Sequence, residues 1–245
     1  VGTVLSGVGM DSCHILHNGN GIQCINLGDS SRVQGFSISG IVDTSTSGIL
    51  SYRLKRGILA GHGISGTITG VRITNAQDCI SQNTQTFGVR VLIQNCEFSS
   101  FHQAIEVYGS NSEIRDNLVF ANTESIAPPI YHILGNAMIE RNTIIRPGEF
   151  AAPLIELVDM QSVLVRNNIW VSTNPNAGMW SLRVNYPSPG VLATGEISNN
   201  LSIGSDAGIG SYSGDIFIRN NIVIGTRSFA IHYDTSNTPL GHVGY

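Results

Sequence analysis

Five residues hold matching places in successive short segments and could do chemistry together. Glu106, His132, Glu156, Arg183 and His232 stand in the middle of AIEVY, IYHIL, LIELV, SLRVN and AIHYD. Side chains alternate faces along a strand, so all five are expected on one outer face. In a chain with only 12% charged residues, such a concentration of ionisable groups stands out. Glu106 and Glu156 would lie ~9–10 Å apart if their strands are next but one in a stack. That is near the spacing of an acid and a base that flank a glycosidic bond with a water between them. Arg183 has the planar fork that grips a sugar carboxylate with two hydrogen bonds. Tyr108, Asn185, Tyr212 and Asp234 fall on the neighbouring outward position, and Trp180 and Tyr186 flank the Arg183 strand with rings that suit sugar faces. The plainer account of the same column is a solvated ladder of weak ion pairs.

Two other motifs carry less. Gly61-His62-Gly63 lacks accompanying acidic residues and reads as a loop. In Asp11-Ser12-Cys13-His14 the thiol and imidazole are strand neighbours, so they face opposite ways. Trp170 is expected to point outward, toward a partner surface.

The elements that would position the column come from an internal repeat. IRDNLVFA, IERNTIIR, VRNNIWVS, ISNNLSIG and IRNNIVIG align on Asn117, Asn142, Asn168, Asn200 and Asn221, at intervals of 25, 26, 32 and 21 residues. Weaker copies, VQGFSIS, ITGVRIT and IQNCEFS, begin at Val33, Ile68 and Ile93. A drifting period of this size marks a solenoid. Alternating β-branched residues argue for strands, and no helical apolar period persists. A third strand follows each pair, with earlier versions in GIQCI and CISQN, which predicts three sheets and about nine coils. The Asn explains itself in this setting. It tolerates the left-handed bend between two strands, and its amide can bond to the coils above and below.

These repeats resemble the right-handed parallel β-helix superfamily, the pectate-lyase-like group, over nearly the whole chain. The resemblance implies an all-β, three-sheet parallel β-helix, residues 1–245 as one domain. It implies a polysaccharide groove floored by the sheet that carries the long loops. Here the segments 121–129, 173–180 and 186–194, with 54–65 earlier, would wall the third-strand sheet. A hydrolase using Glu106, Glu156, Arg183 and His132, with Tyr108, Trp180, Asn185, Tyr186, Tyr212, His232 and Asp234 binding sugar, is one expectation. A lyase is another: carboxylates would hold Ca²⁺ against an acidic sugar while an Arg removes a proton. A non-catalytic glycan-binding or structural module of an adhesin is the third. The resemblance also implies an extracellular, cell-surface or virion setting.

Bulk properties narrow the partners. Net charge is −4, Lys55 is the only lysine, and no basic run exists, which argues against nucleic acid. No apolar run approaches the ~18 residues of a membrane span. Cys13, Cys24, Cys79 and Cys96 match no zinc spacing; one bridge is possible among them and a disulfide framework is not, which leaves the redox compartment open. The sequon at Asn200 falls inside a repeat and is expected to be too buried for a glycan. The chain opens on a strand pattern without Met and reads as part of a longer protein. With no amphipathic helix to cover the strand edges at either end, flanking segments or a homotrimer are expected.

Overall fold

The computed structural model describes residues 3–17, 23–44, 50–52, 54–60, 65–82, 89–121, 127–148, 152–173, 179–185, 193–212 and 215–234. They form an all-β parallel solenoid of about seven turns, somewhat fewer than the repeat count predicts. Extended backbone runs round the corners, so one segment such as Glu97–Arg115 serves all three sheets. A short antiparallel hairpin, Val42–Thr44 with Leu50–Tyr52, is the one departure from parallel pairing among the described residues. No helix among them is long and apolar enough to cross a membrane.

Stacking is residue on residue. In the first sheet Val33, Ile68, Ile93, Ile114, Ile139, Val165, Ile197 and Ile218 form one inward file, each paired in register with the next. From Ile68 to Ile218 each is fully enclosed. Burying one such side chain contributes about 1.5–3 kcal/mol, so this file alone is a large share of the hydrophobic driving force.

The bend after this file divides its work between two residues. The first is left-handed: Asn95, Asp116, Arg141, Asn167, Asn199 and Asn220 have φ between 53° and 58°. The second is the repeat Asn, which points inward and forms a continuous ladder. The Asn117 amide nitrogen donates to Asn142 Oδ1 at 2.9 Å, and Asn142 to Asn168 at 3.1 Å. Asn168 donates to Asn200 and Asn200 to Asn221, both at 2.9 Å. Each Oδ1 also accepts the backbone N–H of the preceding ladder residue, and each amide reaches a carbonyl of the first sheet. Asn200 is 2% exposed, in keeping with a sequon closed to glycan.

The ladder sets the phase of the second sheet. With the Asn inward, the residue two further on is also inward: Val119, Ile144, Trp170, Ser202 and Val223. Trp170 is therefore fully enclosed, not outward as expected. The residues either side of it face out. The outer files are Leu118, Thr143, Ile169, Leu201, Ile222 and Phe120, Ile145, Val171, Ile203, Ile224.

The third sheet collects Gln23–Leu27, Leu54–Ala60, the end of Gly66–Gln82, the middle of Glu97–Arg115, and later segments through Phe229–Tyr233. Leu54–Ala60 is thus a strand of this sheet, not part of a wall loop. Leu54, Ile58 and Ala60 are enclosed, and Lys55-Arg56 had masked the pattern. All four cysteines are free thiols, with Cys79 and Cys96 buried as small apolar residues.

Candidate functional site

On the third sheet's outer face the register runs Glu106, Tyr131, Glu156, Arg183, Gly210, His232. Glu106, Glu156, Arg183 and His232 share one file, as expected from the sequence. His132 does not belong to it. It pairs with Val107 and Leu157 in the neighbouring inward file and is fully enclosed. The signal was present: the ladder Asn residues of these two coils are 25 residues apart, and Tyr131 stands 25 after Glu106. The apolar pair Ile130 and Ile133, of opposite parity, had obscured it.

A second outward file runs Tyr108, Ile133, Val158, Asn185. Tyr212 and Asp234 continue it one residue beyond Ser211 and Tyr233, with backbone N–H groups donating to Val184 and Ser211. Tyr186 and Gly61-His62-Gly63 lie outside the described residues, as do most of the three later wall segments.

The file divides into two parts. Glu106 is held by two hydroxyls: Ser81 donates to Oε2 at 3.0 Å and Tyr108 to Oε1 at 3.1 Å. Asp78, absent from the sequence-level set, lies one coil earlier, in register with Gln103 and Arg56. It is only 9% exposed. Burial raises its pKa to about 7, the Glu106 charge adds to this, and Arg56 and Lys55 oppose it. Arg56 Nε is itself enclosed without a hydrogen-bond partner. His102 on the same rim is pushed down by burial, against the pull of Glu106. Tyr131 stands edge-on to Tyr108, with ring centroids 6.2 Å apart.

Glu156, by contrast, is engaged. Its Oε1 accepts from Arg183 Nε at 3.1 Å and, in a shorter contact, from Nη2. The last coils carry an aromatic group. Trp180 stacks on Phe229 at 6.3 Å with planes 8° apart, and meets Tyr212 and His232 edge-on at 6.0 Å. Gly210 makes room for it, since a Cβ there would come within 2.8 Å of the Trp180 ring. Phe229 and Gly210 were not singled out in the sequence because neither is a polar or catalytic type.

Calcium asks for six to eight oxygen ligands converging on one point. Glu156 is committed to Arg183, and Tyr131 separates it from Glu106 in the file. The described carboxylates therefore do not fit a Ca²⁺ site, and among the described residues no three His, Cys, Asp or Glu side chains gather to hold a metal. Two shallow hollows, of about 260 and 430 Å³, lie beside the first sheet and share Arg90. Neither contains a residue of the third-sheet file. Comparison of the chain with protein-family models, with curated proteins and with solved structures finds no match in any of the three.

Proposed function

We propose that the outer face of the third sheet binds a polysaccharide chain along the solenoid axis and hydrolyses its glycosidic bonds. The observation that carries this reading is one straight file of polar and ionisable groups that ends in an aromatic platform. Aromatic faces suit the apolar faces of sugars, and a file at strand spacing suits a linear polymer. Glu106 with Asp78 is the acid–base pair. Two neighbouring carboxyl groups with divergent environments are the pattern of such an assignment. Asp78 keeps its proton near neutrality and gives it to the leaving glycosidic oxygen. Glu106, held by Ser81 and Tyr108, acts on the other reactant, water or the anomeric carbon. Arg183, braced by Glu156, offers its guanidinium to an acidic sugar. The resemblance to pectate-lyase-like β-helices supports the substrate class by analogy of fold alone.

A panel of acidic and neutral polysaccharides tests this. New reducing ends without absorbance near ~235 nm are expected, since hydrolysis leaves no unsaturated product. Glu106→Gln and Asp78→Asn should each lower turnover by about 10²–10⁴-fold. Turnover should also decline as pH rises past about 7, where Asp78 loses its proton. Wild-type protein that leaves every polymer intact would exclude the hydrolase. A binding module without cleavage is the second reading, favoured by the closed Glu156–Arg183 pair. It is recognised by glycan retention that Trp180→Ala weakens and Glu106→Gln does not.

A further inference from the structure

The second sheet presents an outer face of a different kind. Its two files hold ten residues over the last coils, and nine are aliphatic or aromatic; Thr143 is the exception. Phe120, Ile169, Ile222 and Ile224 are 43%, 42%, 59% and 53% exposed. With the other five half-buried, the nine side chains together leave roughly 500 Å² of contiguous apolar surface, the upper end of what a monomer leaves bare. The same files change character toward the N-terminus. The Leu118 file continues there as His14, Ser37, Arg72 and Glu97, the Phe120 file as Leu16, Ser39, Thr74 and Ser99, and Arg72 joins Glu97 at 2.6 Å and Asp11 at 2.7 Å.

We propose that this face is the interface of a two-fold dimer in which two solenoids lie antiparallel, second sheet on second sheet. Because like residues stack in straight files, the face is flat, and a second copy matches it in flatness and chemistry. A closed ring of three would need two different complementary patches on each subunit, whereas a two-fold contact uses one patch twice. At roughly 500 Å² per partner, about 1,000 Å² in all, the contact is at the small end of specific interfaces, which fits a dimer of modest affinity. The direction follows from the charges. A parallel pair would overlap along its whole length and drive Arg72, Glu97 and Asp11 against their own copies, stripped of water. An antiparallel pair centred on Ile169 and Val171 sets Phe120 against Ile224 and overlaps only the apolar coils. The charged halves then extend beyond the contact into water.

Sedimentation of the 245-residue chain across about 1–100 µM should show a dimer, with dissociation in the lower part of that range. Ile169→Glu, next to the two-fold axis, should yield a monomer with an unchanged circular dichroism spectrum. Should that variant misfold, Ile224→Lys at the edge of the patch gives the same reading. Orientation is read by disulfide capture, with wild type as the control for the native thiols. Val171→Cys should cross-link to itself. Phe120→Cys and Ile224→Cys should cross-link when mixed and not alone. A wild type that stays monomeric at the highest concentration overturns the proposal. Self-linking of Phe120→Cys overturns the antiparallel arrangement.

Discussion

Asp78 and His132 are both enclosed, and burial pushes their pKa values in opposite directions. Asp78 holds its proton up to about pH 7, whereas an unfolded Asp releases it near ~4. Between these values the folded state binds more protons, so stability falls as pH rises. His132 is pushed down to about 3, with neither ring nitrogen hydrogen-bonded. An unfolded His titrates near ~6.5, so between these values the unfolded state binds more protons and stability falls as pH drops. The two slopes oppose each other between about pH 4 and 6.5. Asp78→Asn should uncover the His132 slope: urea midpoints that climb as pH rises toward about 6.5 and then level off. His132→Leu should uncover the Asp78 slope, with midpoints that decline from about pH 4 to 7. Each slope spans up to roughly 4–5 kcal/mol. At pH 6 His132→Leu should also stabilise by about 1–3 kcal/mol, because it removes two unbonded buried polar atoms from between Val107 and Leu157. A His132→Leu protein no more stable than wild type would show that this imidazole is bonded in solution.

At the scale of the element, the Asn ladder is the device that joins coil to coil at the bend. Asn168 is 1% exposed and sits mid-ladder. Its Oδ1 accepts two bonds from Asn142, and its amide donates to Ile139 O at 2.9 Å. Asn168→Ala would leave the Asn142 backbone N–H enclosed without its partner and remove one bond to the Ile139 carbonyl. The expected loss is roughly 2–4 kcal/mol in chemical denaturation. Asn221 ends the described ladder and is more exposed, so Asn221→Ala should cost less than half as much. Equal losses at the two positions would mean that the ladder contributes no more than a local bend. The aromatic platform admits a test of the same kind. Gly210→Ala must displace the Trp180 ring, and Trp180 is the partly exposed one of the two tryptophans. Its fluorescence should shift to the red, while Trp170 stays enclosed and the melting temperature changes little.

For the whole molecule, a solenoid is close to one-dimensional, and each coil is stabilised mainly by its two neighbours. The outermost strands have no enclosed residues: Val4–Ser6 is exposed throughout, and Phe229–Tyr233 is exposed or half-buried along its length. Amide exchange should be slowest in the central strands around Ile114, Ile139 and Val165 and should quicken toward both ends. If the last coils are instead as protected as the centre at high protein concentration, and lose that protection on dilution, the dimer face is their cover.

The solenoid, its three sheets and the role of the Asn were legible in the sequence, because a repeat writes the same local physics many times. A β-branched alternation names the strand, and a recurrent Asn marks the bend. Glu106, Glu156, Arg183 and His232 were assigned to one file from the apolar or aromatic residues on either side of each, and the register places them there. Phase itself was the quantity that single strands left open. IYHIL and NIWVS have apolar residues at both parities, so His132 and Trp170 were assigned outward and the structure encloses them. Only stacking resolves such cases: an inward Asn168 commits Trp170 to the interior and Ile169 to the surface, and the register with Glu106 selects Tyr131 over His132. The tertiary structure also determined which charges meet. Asp78 and Glu106 are 28 residues apart in sequence and become neighbours because one coil lies on the next, while Glu156 is claimed by Arg183 from the following coil. Local pattern determines what each residue can do along its own strand; contact between coils decides what it does.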